Sequence, residues 1–203
     1  YMVASVNNGG GYYRAEQYLQ EARRHGARIE PPCVNEGRSF TLLRGLRVIL
    51  GTDRIRGLDS EFARRIAHSR EEGGVFLDLD DFIDRLHLPI SPVPLDSLLL
   101  LIRAEAFRFT NCSARKLLWA AHRRLGHRPP PSPGPSLFDS LAELRSKELH
   151  VPILETNELE QAYEQIELFG FPLCDPFLLF EIPEITNSIL PEHWPEHPGF
   201  YTE

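Results

Sequence analysis

The chain has 203 residues, 42% of them hydrophobic and 25% charged, a composition typical of a globular protein with one substantial domain or two small ones. No run of about 18 apolar residues is present that could cross a membrane, and no leader pattern opens the chain, so we expect a cytoplasmic protein without a membrane partner. The apolar opening at Tyr1 and the single methionine, Met2, suggest a segment excised from a larger protein.

The net charge of −7 conceals an uneven distribution of charge along the sequence. Residues 38–70 carry eight arginines and three acids, and residues 103–128 carry seven basic residues and one acid. Residues 139–203 carry fourteen acids and two basic residues. A basic half indicates a polyanionic partner, and arginine suits bidentate contacts with phosphate. The alternative is that the basic and acidic surfaces are solvated and attract each other.

The first quarter of the chain is predicted to contain one helix and a small β element. A helix is expected from about Tyr13 to Gly26, where glycine ends it. A short extended segment follows, because two consecutive prolines prevent a helix there. Residues 39–43 and 47–52 then predict two strands joined by a turn.

The rest of the chain is predicted to be largely helical. Residues 60–71 predict an amphipathic helix that buries Phe62 and Ile66 and exposes Arg64, Arg65 and His68 on the opposite side. Further helical runs are expected in residues 79–86, 94–107, 113–126, 136–144 and 156–170. The predicted fold is therefore mostly α with a small β element, an α+β multi-helix domain.

The residue types that carry chemistry form no convincing catalytic or metal site. Cys33, Cys112 and Cys174 are widely spaced and lack a C-x-x-C pairing, which favours reduced, buried thiols. His193 and His197 have helical spacing but enclose a proline, which favours a loop over a metal site. We therefore expect no catalytic residue, no metal ligand and no cofactor in this chain.

Six segments, in this order and spacing, resemble the bacterial replicative DNA polymerase III alpha subunit, a C-family DNA polymerase: NNGGGYY, GARIEPPCVN, IRGLDSEFARRIAHSRE, LDLDDFIDRL, LLIRAEAFRFT and EQIELFGFPLCDPF. The resemblance covers nearly the whole chain and implies five parts. These are the end of a fingers domain (1–50), a helix-hairpin-helix region (51–128), a proline-rich linker with a clamp-binding-like motif (129–138), a helical segment (139–180) and the lead-in to an OB domain (181–203).

The resemblance also implies an activity for the parent protein, a DNA-directed DNA polymerase and hence a nucleotidyltransferase that uses Mg²⁺. The aspartates that bind this metal belong to a palm domain that no segment of the present sequence matches. We therefore expect this chain to be inactive by itself and to work with duplex DNA and with other domains and subunits of the polymerase holoenzyme.

In this family the helix-hairpin-helix region holds a DNA phosphate through backbone N–H groups, which two glycines around a hydrophobic residue leave accessible. Gly57 and Leu58 match the first glycine and the hydrophobic residue, but Asp59 stands at the second glycine and Glu105 at another family glycine. We expect Asp59 to cap the helix that follows it. Binding of duplex DNA is then expected to be non-specific and to depend on nearby arginines, namely Arg54, Arg56, Arg64, Arg65, Arg103 and Arg108.

The segment GPSLFD resembles the family's sliding-clamp motif, with Ser136, Leu137 and Phe138 as the clamp-binding residues and Gly134 in place of the usual glutamine. Its proline-rich flank reduces the entropy lost on ordering. The alternative is that Leu137, Phe138, Leu141 and Leu144 share a helical face and pack on the domain.

The resemblance thus predicts a non-catalytic polymerase segment that binds duplex DNA and tethers the enzyme to its clamp. Two alternatives remain: a structural scaffold between fingers and OB domains without DNA contact, or the same module of an error-prone paralogue.

Overall fold

The computed structural model describes residues 1–9, 11–126, 157–175 and 179. The chain divides into two compact units, Tyr1–Leu173 and Cys174–Glu203. In the second unit Cys174 and Leu179 are half-buried and Asp175 is exposed. The predicted linker, the clamp-binding-like motif with Ser136, Leu137 and Phe138, and the lead-in to an OB domain all lie outside the described residues.

Helices dominate the first unit. Those described are α1 (Met2–Asn7), α2 (Ala15–Arg24), α3 (Ser60–Gly73), α4 (Leu79–Leu86), α5 (Leu95–Arg103), α6 (Ala114–Leu125) and α7 (Glu158–Phe169). Three short strands, β1 (Arg28–Glu30), β2 (Leu42–Arg44) and β3 (Arg47–Ile49), form a small sheet. The predicted fold class, mostly α with a small β element, is confirmed. Within the described ranges no helix has the length and apolar character needed to cross a membrane.

The sheet has the strand order β1-β3-β2, in which β3 runs parallel to β1 and antiparallel to β2. Strand β1 forms in the segment for which the sequence predicted only an extended conformation. The Arg47 guanidinium in β3 donates to both carboxylate oxygens of Glu30 in β1, at 2.7 and 2.8 Å. This bidentate contact fixes the register of a pair of strands that each have three residues.

Short polar side chains begin four of the helices by accepting hydrogen bonds from backbone N–H groups of the first turn. Besides Asp59, which caps α3, they are Asp78 for α4, Ser113 for α6 and Asn157 for α7. Ser113 accepts from the N–H group of Lys116 at 3.4 Å.

Four phenylalanines form the centre of the hydrophobic core. Phe82 of α4 makes edge contacts with Phe107 and Phe76, with ring centroids 4.9 Å apart in both pairs, and with Phe62 of α3 at 6.3 Å. All four side chains are essentially inaccessible to solvent. Edge-to-face pairs of this kind add to the free energy gained from burial, so the core fixes α3 and α4 against the turn that follows α5.

No disulfide joins the three cysteines, and they differ in burial: Cys33 is buried as expected, whereas Cys112 and Cys174 are half-buried.

Candidate nucleic-acid interface

Two tight turns in the first unit lie where the sequence predicted hairpins. The first hairpin, residues 55–59, joins a 3-10 turn at Thr52–Arg54 to α3. The second hairpin, residues 103–107, follows α5 and leads through another 3-10 turn, Arg108–Thr110, to α6. Both hairpins are therefore flanked by helical segments.

The first hairpin keeps part of the backbone geometry that a phosphate site needs. Gly57 has φ +79°, a left-handed conformation that glycine adopts without strain. The Asp59 carboxylate accepts from the N–H group of Glu61 at 3.0 Å, which confirms the predicted cap. Within the described part of the chain, the N–H groups of Gly57 and Asp59 themselves donate to no acceptor. These two donors lie at the N-terminus of a helix of 14 residues, where the helix dipole favours an anion.

In the second hairpin, by contrast, the N–H groups of Glu105 and Ala106 already donate to carbonyls in the last turn of α5 and are not available to a phosphate. Ala106 donates to the Leu101 carbonyl at 2.9 Å and Glu105 donates to the Ile102 carbonyl at 3.0 Å. These two hydrogen bonds, together with a left-handed residue after the last turn, form a Schellman motif. Glu105 occupies the left-handed position with φ +58°, where glycine is usual. Its carboxylate accepts a hydrogen bond from the side chain of Gln161 in α7.

Three of the six predicted DNA-binding arginines bond to backbone carbonyls elsewhere in the fold. The Arg54 guanidinium donates to the Val6 carbonyl at 2.5 Å. Arg108 donates to the carbonyls of Pro31 and Pro32 at 3.0 and 2.7 Å. Arg65 was expected on the exposed face of α3, but it is half-buried and donates to the carbonyls of Leu86, the last residue of α4, and of Ser91, at 2.5 and 2.6 Å.

Arg103, a fourth predicted DNA ligand, pairs with the acidic helix α7. Its guanidinium lies 2.6 Å from the Glu167 carboxylate and 3.3 Å from that of Glu164. The hydrogen bond that Arg103 donates to the Glu167 carboxylate is the main cause that raises the pKa of the Arg103 guanidinium above its usual value. In this contact the basic and acidic parts of the chain attract each other, which was the alternative to a polyanionic partner for the basic half.

Arg56 and Arg64 remain exposed beside the first hairpin. The Arg56 backbone N–H group donates to the Leu168 carbonyl at 2.8 Å, and its guanidinium lies against Gly170. The Arg64 side chain is 71% exposed and pairs with Glu61 at 2.7 Å, which is one helical turn away. The structure therefore brings Gly57, two exposed guanidinium groups and the N-terminus of α3 into one neighbourhood.

Sequence reasoning missed the acidic partners in α7. The signal was present, because Glu160, Glu164 and Glu167 recur at helical spacing opposite the basic segment, and Glu160 lies 3.9 Å from Arg115. Among the described residues no group of three or more His, Cys, Asp or Glu side chains is arranged to hold a metal ion.

A model of the helix-hairpin-helix motif matches residues 26–117, which include both hairpins. The chain is also similar to proteins named error-prone DNA polymerase. Identity is 32% over 126 residues with that of Mycobacterium tuberculosis (strain ATCC 25618 / H37Rv), covering 61% of this chain and 11% of the relative. It is 31% over 170 residues with that of Allorhizobium ampelinum, covering 79% and 14%, and 34% over 113 residues with that of Bdellovibrio bacteriovorus, covering 54% and 10%.

The chain therefore contains a helix-hairpin-helix motif and is homologous to a segment of error-prone DNA polymerases, and it spans roughly a tenth of the length of these relatives. The expected relation to DNA polymerases is confirmed at this level. The relatives carry the error-prone name, and the replicative assignment stays a prediction.

Proposed function

We propose that this chain binds duplex DNA non-specifically as a non-catalytic segment of a C-family DNA polymerase. The observation that carries the proposal is the first hairpin, where the N–H groups of Gly57 and Asp59 have no acceptor among the described residues and immediately precede α3, near Arg56 and Arg64 in the sequence. Backbone donors, a helix dipole and guanidinium groups are the usual components of a phosphate contact.

Asp59 sets the strength of this contact. Its carboxylate stabilises α3 by capping, but it also repels a phosphate, by about 1 kcal/mol at 4 Å in water and by more where solvent is excluded. Glycine at this position costs only a few tenths of a kcal/mol as a cap. Asp59→Gly is therefore expected to tighten duplex binding severalfold while the fold is retained.

The direct test is fluorescence anisotropy with a labelled duplex over a series of salt concentrations. The variants are Asp59→Gly, the double variant Arg56→Ala/Arg64→Ala, and the control Arg24→Ala, whose side chain is 79% exposed on α2. Loss of two phosphate contacts should reduce the slope of log affinity against log salt by about 1.8, and the control should leave it unchanged. Absence of duplex binding at low salt by both the wild type and Asp59→Gly would refute the proposal.

A second candidate function is a scaffold that joins neighbouring domains without touching DNA. It is favoured by the arginines that bond within the fold, since Arg54, Arg65, Arg103 and Arg108 all have intramolecular partners. If it holds, Arg103→Ala and Arg108→Ala should lower stability and leave the salt dependence of any duplex binding unchanged. A lower slope in these two variants would favour the DNA role that the sequence predicts for them.

We propose further that Ser136, Leu137 and Phe138 tether the parent polymerase to a sliding clamp. The support is the sequence itself, in which two large apolar side chains follow a proline-rich run. Leu137→Ala/Phe138→Ala should abolish binding to a purified clamp, and Gly134→Gln should strengthen it. Loss of binding in the matched variant Leu141→Ala/Leu144→Ala, with binding retained in the first, would contradict the tether.

The parent enzyme is proposed to be a Mg²⁺-dependent DNA-directed DNA polymerase that works in the cytoplasm with other holoenzyme subunits. Its catalytic metal ligands are expected in a palm domain rather than in this chain. The relatives named above are error-prone DNA polymerases, which supports the alternative that the parent is an error-prone paralogue.

A further inference from the structure

Helix α6 carries an exposed stripe of one aromatic and two cationic side chains that neither hairpin uses. Lys116, Trp119 and Arg123 are spaced by three and four residues, which places them on one face of the helix. Trp119 is 56% exposed, and both cationic residues are exposed as well. We refer to these three residues as the α6 stripe.

The two cations of the α6 stripe lack acidic partners within the described ranges, whereas the arginines next to them have such partners. Arg124 pairs with Asp84 of α4, and Arg115 lies 3.9 Å from Glu160 of α7. Arg115 and Arg124 lie on opposite flanks of the α6 stripe, and the charge of each is paired with a neighbouring helix. Lys116 and Arg123 between them are exposed and have no acidic partner among the described residues.

An exposed aromatic ring between two exposed positive charges matches a ligand that presents flat rings between negative charges. Single-stranded nucleic acid has this arrangement, because its unpaired bases stack on aromatic side chains while its phosphates contact cations. Lys116 and Arg123 are separated by seven residues, or about 10 Å along the helix axis. The two cations can thus reach the backbone on either side of one stacked base.

Other polyanions fit the α6 stripe less well. In a duplex the faces of the bases are stacked on one another and are closed to a side chain unless a base is flipped out. An acidic peptide offers carboxylates to the cations, but its acidic side chains give Trp119 no ring to stack on. We propose that the α6 stripe binds single-stranded nucleic acid, with Trp119 stacked on a base and Lys116 and Arg123 on the flanking phosphates.

This surface differs from the proposed duplex site in position and in chemistry. The duplex site uses backbone N–H groups and arginines at the start of α3, whereas the α6 stripe uses a ring and two cations in the middle of another helix. Either of the two proposals can therefore fail without the other.

The test uses the whole chain, with intrinsic tryptophan fluorescence as the readout. The chain has two tryptophans, Trp119 and Trp194, so Trp194→Phe leaves Trp119 as the reporter. Addition of oligothymidine is expected to quench its emission. In parallel, anisotropy of labelled oligothymidine should show about tenfold weaker binding by Trp119→Ala.

The contribution of the cations is measured separately. Lys116→Ala/Arg123→Ala should reduce the slope of log affinity against log salt by about 1.4, the value for two phosphate contacts with a single strand. The matched control Arg124→Ala removes a cation of the same helix that is already paired, and the slope should not change. All these positions are exposed, and far-UV circular dichroism verifies that each variant keeps its helices.

Three results would overturn the proposal. The first is an unchanged emission of Trp119 on addition of oligothymidine. The second is a duplex of the same length that binds as tightly and loses affinity in the same variants. The third is equal quenching by polyglutamate, which would assign the α6 stripe to an acidic protein partner. If Asp59→Gly changes only duplex binding and Trp119→Ala only single-strand binding, both surfaces are established as separate.

Discussion

Glu105 holds a left-handed backbone conformation that a side chain with a β-carbon adopts at a cost of roughly 1 kcal/mol. The Schellman bonds at the end of α5 require this conformation, and the hydrogen bond from Gln161 helps to retain glutamate there. The resemblance to the polymerase family indicated a glycine at this position. The glutamate that replaces this glycine is therefore a strained residue, and its side chain joins the second hairpin to α7.

This strain predicts a difference between two substitutions at one site. Glu105→Gly and Glu105→Ala both remove the carboxylate, but only glycine relieves the positive φ. The glycine variant should be more stable than the alanine variant by about 1 kcal/mol in urea unfolding. Equal stability of the two would show that the left-handed conformation is not what limits this position.

Glu30 is the second residue whose environment makes a measurable prediction. The hydrogen bond from Arg47 is the main cause that lowers the pKa of its carboxyl below the usual value, and Arg108 contributes as well. A folded-state pKa below the unfolded one means that the folded protein binds fewer protons. The stability from Glu30 is thus fully present above the unfolded pKa of about 4.3 and is lost as the pH falls through the folded pKa.

Glu30→Gln should therefore lower stability at neutral pH by about 1.5 to 3 kcal/mol, the value of hydrogen bonds to a charged group. Between about pH 5 and pH 3 the stability of the variant should fall less steeply than that of the wild type. The measurement is urea unfolding at several pH values, with Glu16→Gln on α2 as a control. Parallel pH profiles of the wild type and the Glu30 variant would contradict the role of this carboxylate.

Among the elements, helix α3 distinguishes two adjacent arginines that the sequence treats alike. Arg65 is half-buried and closes the segment after α4 through the carbonyls of Leu86 and Ser91, whereas Arg64 is exposed. The bonded carbonyls lie 21 and 26 residues away along the chain. Helical periodicity describes contacts three and four residues apart, so it could not predict that Arg65 is half-buried while Arg64 is exposed.

Arg65→Ala is expected to cost about 2 to 3 kcal/mol, because it leaves two carbonyls without their charged donor. Arg64→Ala should stay within about 0.5 kcal/mol of the wild type, as is usual for surface positions. Chemical unfolding of the two variants measures the difference directly. Similar losses in both would mean that the carbonyl contacts of Arg65 add little to stability.

The bounds of the helices could be predicted from local signals in the sequence. The elements against which each helix packs could not. Helices α3, α6 and α7 were predicted within a few residues because apolar periodicity, a capping side chain and a glycine agree there. The exposed side of α7 was less predictable: helical spacing places Leu159 on the same face as the buried Ala162 and Phe169, yet Leu159 is 42% exposed, while Leu168 is buried. Burial of a terminal turn depends on whether a neighbouring element extends that far, which no local pattern encodes.

At the scale of the whole molecule, the separation of charge along the sequence is partly resolved by folding. Helix α7 belongs to the acidic part of the chain, yet it packs in the same compact unit as both hairpins. Its backbone accepts from Arg56, its Gln161 bonds to Glu105, and its acids pair with Arg103. Sequence reasoning foresaw the charge asymmetry and also the possibility of internal pairing, and it could not identify the partners because they depend on the tertiary fold.

This pairing predicts that α7 is coupled electrostatically to the end of α5. Arg103→Glu should destabilise the chain by about 1 to 2 kcal/mol, since it replaces two attractions with repulsions. Combining it with Glu164→Arg/Glu167→Arg should restore part of that loss, with a coupling free energy of about 1 kcal/mol at low salt. High salt should reduce the coupling because both glutamates are partly exposed.

The surface pair Arg24 and Glu21 on α2, treated in the same way, serves as the control and should give a smaller coupling free energy. Strictly additive free energies of unfolding in the Arg103 series would mean that apolar packing, and not charge, holds α7 beside the hairpins.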